Sequence, residues 1–164
     1  MLLAGYCFSR ALGRPLQPAL PVSLSVEPTT SCNLRCPECP SGLRSFTRAT
    51  GMLDPELFEK VIRQGASHLF HLTLYFQGEP YLHPQFLELV SAARKHRIYT
   101  VTSTNGHYLD DQRARETVES GLDRLIISVD GSTQDAYSSY RIGGSLDEVL
   151  RGASRVVEWR NRLG

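Results

Sequence analysis

No stretch of this 164-residue sequence is apolar and long enough to cross a bilayer. The N-terminal run from Met1 to Phe8 is soon followed by Arg10, Arg14, Pro15 and Pro18. It also lacks the basic start and small-residue cleavage site of a signal peptide. Charge of one sign is missing as well: 18 basic residues face 17 acidic ones, for a net charge of +1. No field is left that would recruit nucleic acid or an anionic membrane, so neither is expected as a partner. Cysteine is scarce, with four in the chain, which excludes the dense disulfide scaffold of a small secreted domain. A reducing cytoplasm is the expected address. What remains, with 41% hydrophobic residues, is enough for one domain with a substantial core.

Three of the four cysteines stand together in Cys32-Asn33-Leu34-Arg35-Cys36-Pro37-Glu38-Cys39-Pro40, spaced C-x3-C-x2-C. Thiolates three and four residues apart on a curling loop can converge on an iron–sulfur cube from one side. Pro37 and Pro40 oppose a regular helix by removing amide donors and fixing φ. Three ligands on four irons leave one iron able to bind a small molecule. Zinc is the competing occupant, but a closed structural site wants a fourth ligand, and no nearby cysteine or histidine supplies one. Cys7 lies far upstream, in a possible helix near Leu2 to Leu12, and reads as an ordinary buried or half-buried thiol.

Residues 1–21 read as a lead-in broken by prolines, and residues 22–164 as the core domain. Val22–Val26 alternates as a first strand, ended by Pro28, and the cysteine loop follows directly. Ser41–Met52 reads as irregular cover. Asp54-Pro55-Glu56 opens a helix with Leu57, Phe58, Val61 and Ile62 as its apolar stripe and Gly65 at its end. His68–Phe76 is a second strand, followed by a helix opened at His83-Pro84 whose Phe86, Leu87, Leu89, Val90 and Ala93 face a core. Ile98–Thr104 is a third strand, and Asp110 or Asp111 caps the next helix. Leu125–Val129 is a fourth strand, and Ser145 with Glu148 forms a capping box for a last helix. The order predicts an α/β fold, a partial (βα) barrel of parallel strands with outer helices. Ser23, Ser25, His71, Thr73, Tyr75, Thr100, Thr102 and Thr104 alternate with apolar partners, which predicts one polar, concave sheet face. The five histidines form no second site. His68 and His71 read as strand neighbours of opposite face, His107 as a loop residue, and Tyr137 and Tyr140 as packing.

Each motif follows the carboxyl end of a strand: the cysteines, Gly78-Glu79-Pro80, Asn105-Gly106, and Asp130-Gly131. Ligands of parallel α/β folds bind there. The cysteine spacing with Gly78-Glu79-Pro80 resembles the radical S-adenosylmethionine (radical SAM) enzymes. Glu27-Pro28-Thr29-Thr30-Ser31 before Cys32, Ser128-Val129-Asp130-Gly131 and Tyr140-Arg141-Ile142-Gly143-Gly144 resemble the branch that often carries a cysteine-rich SPASM extension. Many members have an aromatic residue before the third cysteine, where this chain has Glu38.

The resemblance implies a 4Fe-4S cluster on Cys32, Cys36 and Cys39, with S-adenosylmethionine on the open iron. It implies that Gly78, Glu79 and Pro80 meet the methionine ammonium, and that Thr104, Ser128 and Arg141 contact its carboxylate or ribose. Reductive cleavage would give a 5'-deoxyadenosyl radical that abstracts hydrogen from a substrate, for which a peptide is the analogy the branch offers. A flavodoxin or ferredoxin would donate the electron. About four of the family's usual six strand–helix units are present, so the chain reads as the front part of an enzyme. A non-catalytic iron–sulfur or electron-transfer module would explain the cysteines but not the polar face or Gly78-Glu79-Pro80. A zinc-binding structural domain explains least.

Overall fold

The computed structural model describes residues 2–16 and 19–164. Four parallel strands, β1 (Ser23–Ser25), β2 (His71–Thr73), β3 (Tyr99–Thr104) and β4 (Arg124–Ile127), form one sheet in sequential order. Parallel neighbours need crossovers, and the helices supply them. α2 (Pro40–Leu43) and α3 (Pro55–Gly65) lie between β1 and β2, α4 (Phe86–Lys95) between β2 and β3, and α5 (Asp111–Glu119) between β3 and β4, while α1 (Leu2–Leu12) precedes the sheet and α6 (Gln134–Tyr140) and α7 (Leu146–Leu163) follow it. The sequential order is that of a partial barrel rather than of a doubly wound sheet.

Helix starts follow their capping chemistry. Asp54 accepts from Glu56 N at the head of α3, and Asp110 rather than Asp111 caps α5 by accepting from Arg113 N. The five predicted core residues of α4 are all buried. Leu57 is the exception on α3: it is exposed, and Phe58 and Ile62 carry the contact with the core. Cys7 is also exposed, against the expectation of a buried or half-buried thiol.

The sheet corrects the expected polar face. Register places Ser23 beside His71 and His71 beside Tyr99, whereas Leu24 pairs with Leu72 and Leu72 with Thr100. Thr100, Thr102 and Thr104 therefore share the helix-covered face with the leucines and are fully buried. Their places on the open face are taken by Tyr99, Val101 and Ser103. A threonine fits the pleat through its methyl group if its hydroxyl finds a partner, and all three do. Thr100 donates to Asp123 Oδ2 at 3.2 Å, Thr102 to Leu74 O at 2.9 Å, and Thr104 to Glu79 Oε1 at 2.7 Å. His68 precedes β2 and bonds Gly65 O through Nδ1, so it closes α3 rather than lying in a strand.

Half of the predicted capping box forms. Ser145 Oγ accepts from Glu148 N, but Ser145 N donates to His107 Nε2 at 2.9 Å. His107 Nδ1 lies 3.0 Å from Asn105 Oδ1, which assigns its proton to Nδ1 and leaves Nε2 the acceptor. Burial pushes His107 below its ordinary value of 6.5, outweighing the pull of Glu148. The unfolded chain then takes up a proton that folded His107 refuses, so stability from this tie is whole above pH 6.5 and is lost as pH falls below it. His107→Ala is expected to flatten the stability-versus-pH slope below pH 6.5, measured by urea titration. An unchanged slope would show that another group titrates there.

Candidate functional site

The cysteine segment is a closed loop. Leu53 N donates to Pro28 O, Thr30 N to Gly51 O, and Gly51 N to Thr30 Oγ1, and these bonds staple its two ends together. Between them the chain stays out of regular helix through Cys39, as Pro37 requires, and α2 starts at Pro40 with Cys39 as its cap. Gly42 packs α2 onto the loop. A Cβ there would lie 2.4 Å from Cys36 O, closer than real contacts allow.

The β2 loop is sewn to this one. Glu79 N donates to Ser31 O at 2.7 Å, Gly78 N to Ser41 Oγ at 2.8 Å, and Gln77 N to Glu27 Oε1 at 3.0 Å. Gly78 has a φ of 77°, and a Cβ on it would stand 2.1 Å from Thr29 O. Only glycine satisfies both the dihedral and the close approach. Gly78→Ala and Gly42→Ala are each expected to shift the cysteine loop, lowering the apparent melting temperature and the iron retained after reconstitution. Wild-type values for both variants would show that the loops do not depend on these contacts.

Glu79 is 1% exposed, and its carboxylate is held by three donors. Thr104 Oγ1 and Tyr81 N donate to Oε1 at 2.7 and 3.2 Å, and Asn105 N to Oε2 at 2.8 Å. Burial pushes its pKa up, and these three bonds together with the Arg141 charge oppose that rise. Asn105 reaches on to the cysteines, with Nδ2 2.7 Å from Asn33 Oδ1 and 3.9 Å from Cys32 Sγ.

A cavity of about 260 Å³ is lined by Cys32, Cys36 and Cys39 and by Gly78, Glu79, Thr104, Ser128 and Arg141. Pro80 is not among its walls: it is buried as the first residue of a 3-10 turn, Pro80–Leu82. The Thr104 hydroxyl is already committed, donating to Glu79 and accepting from Gly106 N. Ser128 Oγ shares a hydrogen bond with Ser103 Oγ at 3.2 Å. Tyr140, expected to pack, also lines the cavity, as do Asn105 of the Asn105-Gly106 motif, given no role by the sequence, and Ser103, which lies in no motif.

Residues 26–158 match the Radical SAM superfamily. The chain belongs to that superfamily. It is 35% identical to the PqqA peptide cyclase of Gluconobacter oxydans over 137 residues, covering 83% of this chain and 36% of that protein. It is 33% identical to the tungsten-containing aldehyde ferredoxin oxidoreductase cofactor-modifying protein of Pyrococcus furiosus, covering 86% of this chain and 40% of the relative. The chain thus spans well under half the length of these relatives. Among solved structures it superposes on anSMEcpe with bound AdoMet and the Cp18Cys peptide, at 25% identity and a TM-score of 0.69 over 86% of this chain and 41% of that one. It also superposes on Streptococcus suis SuiB bound to the precursor peptide SuiA, at 16% identity and a TM-score of 0.73 over 96% of this chain and 34% of that one. The last likeness speaks for the fold.

Radical SAM enzymes bind a 4Fe-4S cluster and S-adenosylmethionine, and the residues present fit that pair. All three thiols open into one cavity. Two of the sulfurs have an N–H donor within reach, Cys32 from Asn105 and Cys36 from Arg141, a contact that favours a ligand thiolate. The buried Tyr137 hydroxyl has no hydrogen-bond partner among the described residues, and burial pushes its pKa up against the Arg141 charge. Among the described residues, no three Cys, His, Asp or Glu side chains gather tightly enough to hold a single metal ion. In the metal-free chain burial pushes the Cys32 thiol up, against the Leu34 N–H, and the charges of Glu79, Cys36 and Cys39 add to the rise. Metal binding would release that proton.

Proposed function

We propose that Cys32, Cys36 and Cys39 hold a 4Fe-4S cluster and that S-adenosylmethionine binds beside it, in a radical enzyme acting on a peptide. The observation that carries this reading is the meeting, in one cavity, of the three thiols with residues of the loop after β2, the end of β3 and the residue after β4. When bound, the two groups together supply a 5'-deoxyadenosyl radical for hydrogen abstraction.

The chain's own part is to position. Gly78 brings backbone to the cavity wall. Glu79 has about four acceptor sites, three of them occupied, which leaves one for an ammonium group. Ser128 offers a hydroxyl, and Arg141 keeps N–H groups beyond those bonded to Asp130 and Cys36 for a carboxylate. Thr104 and Pro80 act one step back, Thr104 by fixing Glu79 and Pro80 by starting the turn that Glu79 caps.

A peptide substrate is supported by the names of the relatives, PqqA peptide cyclase among them, and by the open polar sheet face of Ser23, Ser25, His71 and Thr73. The electron donor would be a flavodoxin or ferredoxin. A reducing cytoplasm suits an oxygen-sensitive cluster, and among the described residues no helix is long and apolar enough to cross a membrane.

Equilibrium dialysis of S-adenosylmethionine against reconstituted and metal-free protein tests the reading. Binding that requires the cluster is expected. Equal binding without iron, or none with it, would overturn the reading.

A further inference from the structure

Cys36 is the most buried of the three clustered cysteines, at 5% exposure, and its sulfur is addressed from a distant part of the chain. Arg141, the residue closing α6, places Nη1 3.8 Å from Cys36 Sγ. Its guanidinium does not float. Nε donates to Asp130 Oδ2 at 2.5 Å, Cζ lies 5.6 Å from the Tyr140 ring centre, and the next residue ties down the loop through Arg35 N to Ile142 O at 3.0 Å. Asp130 follows β4 and Arg141 follows α6, so two successive elements fix one cation against one sulfur.

An N–H bond and a positive charge at a ligand sulfur favour the more negative, reduced form of a cluster. A carboxylate paired with that cation removes part of the effect. Resting on the cysteine ligation proposed above, we propose that Arg141, clamped by Asp130, is a positioning residue that sets the reduction potential of the cluster through Cys36. The ion pair acts in opposite senses through its two ends, with Arg141 raising the potential and Asp130 lowering it. Asn105 gives Cys32 a neutral donor, whereas the donor at Cys36 carries a charge.

The test is a potentiometric titration of the reconstituted protein followed by electron paramagnetic resonance, which reads the cluster and not turnover. Arg141→Gln is expected to cut the reduced-to-oxidised ratio at a fixed poise about tenfold, a midpoint about 59 mV more negative for one electron. Arg141→Lys keeps the charge without the planar fork and is expected to recover part of that loss. Asp130→Asn keeps an acceptor for Nε, removes the negative charge, and is expected to move the midpoint upward. Arg151→Gln, an exposed pair with Asp147 on α7, is expected to leave it in place.

A merely structural clasp would be loosened alike by Arg141→Gln and Asp130→Asn, and both midpoints would then move in one direction. That result, or an unchanged Arg141→Gln midpoint, overturns the proposal. If Arg141→Gln takes up no iron, the sign of the Asp130→Asn shift decides. A wild-type chain that takes up no iron is a separate outcome: it overturns the cysteine ligation itself, and this inference with it.

Discussion

Cys36→Ala is expected to empty the site of iron. The wild-type chain should take up about four irons with matching sulfide on anaerobic reconstitution, and the variant close to none. Cys36 sits at the centre of its loop: it is buried, its carbonyl accepts from Cys39 N, and its backbone lies under Gly42. Two thiols on a mobile cluster are a poor cage, and removing this one also strips Arg141 of its partner at the sulfur. The fold should survive, since the substitution removes one sulfur beside an existing cavity. Far-ultraviolet circular dichroism of the metal-free proteins should therefore superpose. Cys7→Ala is the matched control, because Cys7 is exposed on α1. Full iron in Cys36→Ala, or its loss in Cys7→Ala, would contradict the assignment.

Glu79→Ala is expected to cost stability on the order of 3–6 kcal/mol, because it leaves three donors without their acceptor at about 1–3 kcal/mol each, with water entry relieving part. The orphans are Asn105 N, Tyr81 N and the Thr104 hydroxyl. Against a typical net stability of about 5–15 kcal/mol this is a large share. Glu79→Gln keeps the shape and one good acceptor oxygen, so its cost should be smaller, about 1–2 kcal/mol. The site should feel the change as well, since Asn105 leads from Glu79 to Cys32. Urea unfolding of the metal-free variants measures the cost. A Glu79→Ala value within about 1 kcal/mol of wild type would mean that the three bonds are replaced by water at little cost.

How far the sequence could be read depends on where each kind of information lies. Strand and helix order is written in local periodicity and caps, so Asp54 and the pair Asp110 and Asp111 announce α3 and α5, and the core face of α4 is legible residue by residue. The thiol spacing and the strand-end position of the glycines likewise pointed to one end of the sheet. Facing was harder. Thr100, Thr102 and Thr104 looked polar because hydropathy does not record that Asp123, Leu74 and Glu79 would satisfy their hydroxyls. Long-range partnerships were not legible at all. Nothing local told that His107 would replace Glu148 at the head of α7, or that Asn105 would span Glu79 and Cys32. Asp130 stood in a recognised motif, but its bond to Arg141 joins two loops that only the folded chain brings together.

The most direct measurement is electron paramagnetic resonance of the reconstituted, dithionite-reduced protein before and after S-adenosylmethionine is added. An open iron reached through this cavity predicts a reduced-cluster signal whose g-values shift on addition. A cluster signal that ignores S-adenosylmethionine, or a colourless protein that binds zinc in place of iron, would contradict the account.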